Sequence, residues 1–131
     1  AALSVVRLLN LIQDVTKGKL AASEISRLSR LTAEKEKECQ IVKAEVTIIW
    51  GDYFKEAQIS EYPNIHELTH AIMRCASNCK QDLNLSNGEE LLALVNQFAD
   101  IFWQSKGYST ELLAAPYPPS LGVVKPVLEH V

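Results

Sequence analysis

The sequence predicts an all-α fold, a four-helix up-and-down bundle with one long helix and a Pro-rich C-terminal tail. Apolar side chains recur at steps of three and four along most of the chain, which is the spacing of one helix face. Four of the five prolines lie beyond residue 107, where this spacing stops. The chain is therefore divided into a helical bundle over residues 1–107 and an apolar tail over residues 108–131. We expect the tail to pack on the bundle or on a partner.

Composition limits the classes of function that the chain can have. Its 131 residues suffice for one domain with a hydrophobic core. The net charge of −3 and the scattered basic residues leave no basic face for nucleic acid. No run of about 18 apolar residues is present, so a membrane span is not expected. The three cysteines are few and odd in number, whereas a disulfide framework usually has a larger, even set. This favours reduced thiols and a cytoplasmic location.

The longest predicted helix runs from Ala22 to about Ala57. At about 1.5 Å per residue it would be roughly 55 Å long, more than a compact domain of this size needs, so part of it should lack cover. Residues 34–38, EKEKE, contain no apolar side chain and are predicted to form a solvated, charge-alternating face. Residues 45–50, EVTIIW, are a candidate buried strand, but no second strand is evident. The apolar stripe of the helix comprises Ile25, Leu28, Thr32, Cys39, Val42, Val46, Ile49 and Tyr53.

Three further helices are predicted on either side of the long one. Asn64 precedes Glu67 by three positions, and Ser86 precedes Glu89 by the same spacing. Each pair is therefore predicted to form a reciprocal capping box at a helix start. The three ranges are residues 3–16 with a stop at Lys17-Gly18, about 64–83, and about 86–106.

Residues 66–70, HELTH, have the spacing H-E-x-x-H. Histidines four apart share a helix face and can both ligate zinc, while the intervening glutamate activates the metal-bound water. This segment resembles the zinc metallopeptidase signature. The resemblance implies that His66 and His70 are metal ligands, that Glu67 is the catalytic base, and that Glu89 or Glu90 is the third ligand.

The same residues also have a structural interpretation. Glu67 and Glu89 are both assigned to capping boxes, and the two histidines fall on the polar face of their helix. Cys75 and Cys79 point nearly opposite to the histidines and are predicted to pack as small hydrophobic residues. An exposed histidine on a bundle helix also permits histidine phosphotransfer, although no ATP-binding glycine-rich segment occurs. The sequence thus favours neither a metal site nor a catalytic residue.

The leading functional hypothesis is a helical protein–protein interaction module without catalytic activity and without a cofactor. The uncovered apolar stripe of the long helix suggests an interface, and self-association as a homodimer is expected. Aromatic residues carry much of the binding energy of interfaces, so Trp50, Tyr53, Phe54 and Tyr117 are predicted to contact the partner. The alternative is a zinc-dependent metallohydrolase that uses residues 66–70 and a downstream glutamate.

Overall fold

The computed structural model describes residues 1–17 and 21–128. The predicted helix stop at Gly18 and the link through Lys19 and Leu20 lie outside these ranges. None of the described helices is long and apolar enough to cross a bilayer. The elements in the described ranges are α1 (Ala2–Val15), α2 (Ala22–Asp52), α3 (Glu56–Glu61), α4 (Ile65–Gln81), α5 (Leu85–Ser105), β1 (Thr110–Ala114) and β2 (Gly122–Pro126).

Helix α2 is the element on which the other long helices are arranged. It packs against α1 and against α4, and both of these also pack on α5. Cys39, Val42 and Val46 on α2 are buried, because steps of three and four place them on one face. Toward its N-terminus the helix is less covered, and Ile25 is 55% exposed. The hydrophobic core therefore lies along the second half of α2.

The prediction of a plain four-helix up-and-down bundle is wrong. The long helix ends at Asp52, and a separate short helix, α3, follows it. The Pro-rich tail forms an antiparallel hairpin in which Leu112 pairs with Val124 and Leu113 with Val123. Leucine and β-branched residues favour this pairing, while three of the prolines fall in the connection between the strands, where the sheet needs no amide donor. Residues 45–50 lie within α2, so the strand alternative is also wrong.

The helix starts differ from the predicted capping boxes. Asn64 is the N-cap of α4, but its backbone is not extended and its side chain makes no capping hydrogen bond. Helix α5 begins before the predicted position, because Asn84 acts as the N-cap. Its Oδ1 accepts a hydrogen bond from the Ser86 amide at 3.0 Å. Asparagine is as good an N-cap as serine, so the helix starts at the earlier residue.

Lys35 lies in the EKEKE segment, which was predicted to be solvated, but it is 0% exposed. Its ammonium group donates hydrogen bonds to the carbonyl oxygens of Lys80 at 3.2 Å and of Asp82 at 2.6 Å. These carbonyls lie at the C-terminal end of α4, where a helix leaves acceptors unsatisfied and its dipole is negative. The prediction of a solvated side chain is wrong at Lys35, because the carbonyls that accept its hydrogen bonds belong to another part of the chain.

The hairpin is fastened to α5 by the side-chain amide of Asn96. The Nδ2 of Asn96 donates to the Gly122 carbonyl at 2.9 Å, and its Oδ1 accepts from the Val124 amide at 3.0 Å. One side chain thus satisfies an acceptor and a donor of β2, as a neighbouring strand would. The hydroxyl of Thr110 adds a hydrogen bond to the carboxylate of Asp100. The tail is therefore held on the bundle by specific polar contacts.

Replacing Lys35 with methionine tests its role as a helix cap. Methionine keeps an apolar stem of similar length but removes the donor, so two carbonyls of α4 lose their partner. We expect the free energy of unfolding to fall by about 1–3 kcal/mol, measured by urea denaturation. The matched control is Lys43→Met, because among the described residues Lys43 bonds only the Ser77 hydroxyl, at 3.1 Å, and the change should stay within about 0.5 kcal/mol. Equal losses in the two variants would contradict the capping role.

The Asn96→Ala variant tests the attachment of the hairpin. Loss of a hydrogen bond worth about 0.5–1.5 kcal/mol should speed hydrogen exchange at the Val124 amide by up to about tenfold. Exchange is measured residue by residue by NMR. Gln97→Ala, one position further along and exposed, serves as the control and should leave Val124 unchanged. Unchanged protection in Asn96→Ala would show that other contacts hold the strand.

Candidate functional site

The H-E-x-x-H residues lie in the first turns of α4. The Nδ1 of His66 accepts a hydrogen bond from the indole Nε1 of Trp50 at 3.0 Å, and the two rings meet edge to face. This nitrogen is therefore already in use as an acceptor. Glu67 and His70 are exposed on the same helix.

The residues implied by the zinc resemblance do not assemble into a metal site. Glu89 and Glu90 are exposed in the first turns of α5. Within residues 1–17 and 21–128, no group of three or more His, Cys, Asp or Glu side chains could hold a metal ion. His66, His70 and Glu89 are thus not brought together around a common point.

The aromatic residues predicted to bind a partner occupy different environments. Phe54 is 4% exposed and packs edge to face on Tyr53 and on Phe98. The Tyr53 hydroxyl is hydrogen-bonded to the Ser105 hydroxyl at 2.8 Å. These two aromatics therefore tie the end of α2 to α5. Trp50 is half-buried against His66, whereas Tyr117 is 58% exposed in the hairpin connection, and its role in partner binding stays a prediction.

A surface cleft of about 310 Å³ lies between α1, α2 and the hairpin connection. Arg7 of α1 and Glu34 and Glu38 of α2 line it, together with Tyr117. One guanidinium and two carboxylates thus share a cleft with apolar walls. None of these residues belongs to the zinc resemblance.

The three cysteines meet in the core between α2 and α4. Cys39, Cys75 and Cys79 are all buried and carry free thiols. Hydrogen bonding with Cys39 and with Cys75, together with burial, raises the pKa of the Cys79 thiol. Cys75 also donates a hydrogen bond to the Asn87 carbonyl, with 3.4 Å between sulfur and oxygen. The cluster is thus three buried, unoxidised thiols with Cys79 between Cys39 and Cys75.

Sequence reasoning missed this cluster because Cys39 and the other two cysteines lie on different helices. The available signal was their position on the apolar stripes. Cys39 shares the stripe of α2 with Val42 and Val46, and Cys75 and Cys79 share that of α4. Two stripes that face each other bring their cysteines together.

Comparison with known proteins identifies relatives of the chain. The family model described as nickel-containing superoxide dismutase matches residues 1–106. The nickel superoxide dismutase of Streptomyces coelicolor is 31% identical over 78 residues, which is 60% of this chain and 60% of that protein. The enzyme of Streptomyces seoulensis is 29% identical over 89 residues, 67% of this chain and 68% of that protein. The chain thus spans about 60% of the length of the Streptomyces coelicolor relative that it matches.

Solved structures of nickel superoxide dismutase share the fold. The native structure has a TM-score of 0.66 and 26% identity, covering 80% of this chain and 88% of that chain. An apo structure has a TM-score of 0.68 and 25% identity, covering 81% of this chain and 93% of that chain. The family match contains all of α1–α5 within the described residues, and the β1–β2 hairpin lies beyond it.

These matches overturn the functional hypothesis drawn from the sequence. The hypothesis of an interaction module without catalytic activity is wrong, because the matched family is one of enzymes. The zinc metallohydrolase alternative is also wrong, since the matched family is described as nickel-containing superoxide dismutase. The fold is a helical bundle with a small two-stranded sheet. Because the family model covers residues 1–106 of 131, the chain belongs to the nickel-containing superoxide dismutase family.

Proposed function

We propose that this chain takes part in the reaction of its family, the dismutation of superoxide. Two superoxide ions and two protons give one dioxygen and one hydrogen peroxide. The observation that carries the proposal is the match of the family model to residues 1–106, which include every described helix. The 31% identity to the Streptomyces coelicolor enzyme and the shared fold of the native structure support it.

The nickel ion that the family implies does not fit the described residues. A cysteine binds metal as a thiolate; within the cluster the pKa of Cys79 is raised, whereas hydrogen bonding with Cys79 lowers the pKa of Cys39 and of Cys75. Imidazole nitrogen is a suitable donor for nickel, but the Nδ1 of His66 is engaged by Trp50. No suitable group of three or more donors occurs in the described part of the chain. Residues 1–17 and 21–128 therefore do not form a nickel site.

The described residues contribute a rigid scaffold to this function. Helices α1 and α4 pack on α2, and α5 packs on α1 and on α4. The buried ammonium of Lys35 fixes the end of α4 against the middle of α2. A reactive site keeps its geometry only when the elements beneath it are held by packing and hydrogen bonds. This arrangement provides such a base.

Metal replacement tests the proposed reaction. We expect the natural protein to remove superoxide catalytically when loaded with nickel and not when loaded with zinc, because zinc has no redox chemistry. The decay of superoxide absorbance after rapid mixing measures the rate. Removal that is no faster with nickel than with zinc would contradict the proposed function.

The Cys75→Ser variant tests the conclusion that the thiol cluster does not hold the metal. We expect the nickel content per chain, measured by elemental analysis, and the rate of superoxide removal to match those of the natural protein. Circular dichroism confirms that the variant is folded. A folded variant that has lost its nickel would place the metal at the cluster and overturn the conclusion.

A further inference from the structure

Of the three clustered thiols, Cys75 is the one with a route to solvent. It is 5% exposed, whereas Cys39 and Cys79 are 0% exposed. Cys75 also lines a surface cleft of about 210 Å³, together with Arg74 and Glu90. A water molecule occupies about 30 Å³ in the liquid, so the cleft has room for a small polar molecule such as hydrogen peroxide. An oxidant of this size can thus approach the Cys75 sulfur.

Cys79 is placed to react with an oxidised Cys75. The two residues are four apart on α4, which separates their Cβ atoms by about 5–6 Å, and Cys79 is near enough to lower the pKa of Cys75. A disulfide needs about 3.5–4.5 Å between Cβ atoms, so closure requires a shift of about 1–2 Å. Cys79 lies in the last turn of α4, which ends at Gln81. Closure therefore displaces the end of α4 that Lys35 holds through two carbonyls.

The protonation of the two thiols suits their order of reaction. Hydrogen bonding with Cys79 lowers the pKa of Cys75, so the sulfur that solvent can reach is the one of the two that loses its proton more easily. Hydrogen bonding with Cys39 and Cys75, and burial, raise the pKa of Cys79. Cys79 therefore keeps its proton until Cys75 is oxidised, which removes the Cys75 charge that raises the pKa of Cys79.

We infer that Cys75 and Cys79 form a peroxide-reactive dithiol that hydrogen peroxide converts into a disulfide. The Cys75 thiolate attacks one peroxide oxygen, the O–O bond breaks, and a sulfenic acid and hydroxide form. The hydroxide takes up the proton that Cys75 released and becomes water. The Cys79 sulfur then attacks the Cys75 sulfur, and the sulfenic oxygen leaves with the Cys79 proton as a second water. The two thiols lose two electrons, and the peroxide gains them.

The source of the peroxide connects this site to the reaction of the family. Hydrogen peroxide is a product of superoxide dismutation, so its formation by this protein rests on the proposed function. The reactivity of the dithiol does not depend on that function. A disulfide in the last turn of α4 would strain the carbonyls that Lys35 binds, since Lys80 directly follows Cys79. Accumulated product would thus loosen the α2–α4 contact.

The test adds hydrogen peroxide to the metal-free natural protein. Free thiols are then alkylated after unfolding, and peptides are mapped by mass spectrometry. We expect two of the three thiols to become protected from alkylation. The peptide map should show a Cys75–Cys79 disulfide and an alkylated Cys39. Because the peroxide is added, the two proposals are tested separately. Absence of the disulfide would leave the proposed superoxide dismutation untouched. Absence of superoxide removal would leave the proposed disulfide untouched.

Three variants separate the roles of the sulfurs. Cys39→Ser is the matched control and should still form the disulfide. Cys79→Ser should stop at a sulfenic acid on Cys75, which a 1,3-dione reagent traps. Cys75→Ser should keep its remaining thiols reduced. Three free thiols in the folded natural protein after peroxide treatment, or a disulfide in Cys75→Ser, would overturn the inference.

Discussion

The buried ammonium of Lys35 sets the contact between α2 and α4 on which the rest of the structure depends. A lysine charge is costly to bury, and this one is tolerated because two carbonyls at the end of α4 accept its hydrogen bonds. Helix α4 thereby gains a donor for its unsatisfied end, and the two helices are fixed in one antiparallel alignment. Side-chain pairs continue along this contact: Cys39 with Cys79, Lys43 with Ser77, Thr47 with Met73, and Trp50 with His66.

This contact decides what the cysteines and histidines can do. This alignment brings Cys39 to Cys79, and all three thiols are buried together between the helices. The same alignment brings Trp50 to His66, so one nitrogen of the H-E-x-x-H segment bonds protein and not metal. The C-terminal hairpin lies beyond the range that the family model matches. Asn96 joins it to α5 through two hydrogen bonds to the backbone of β2.

Helical spacing predicted the positions of the long helices because their apolar stripes are local features of the chain. Three features were not local and could not be read in this way. The burial of Lys35 depends on the end of α4, the hairpin depends on pairing between residues 110–114 and 122–126, and the thiol cluster depends on two helices meeting. The zinc interpretation failed because the four-residue spacing of His66 and His70 is also that of any two residues on one helix face. Family membership rests on a match to the family model over residues 1–106.

The family implies nickel, and the described helices offer a scaffold whose own donors are engaged or dispersed. We propose that nickel in this protein binds away from the thiol cluster of Cys39, Cys75 and Cys79. Anomalous X-ray diffraction at the nickel edge, from crystals of the nickel-loaded natural protein, tests it most directly. We expect one nickel peak remote from all three sulfurs, with the α2–α4 contact intact. A peak within bonding distance of the Cys79 sulfur would contradict it.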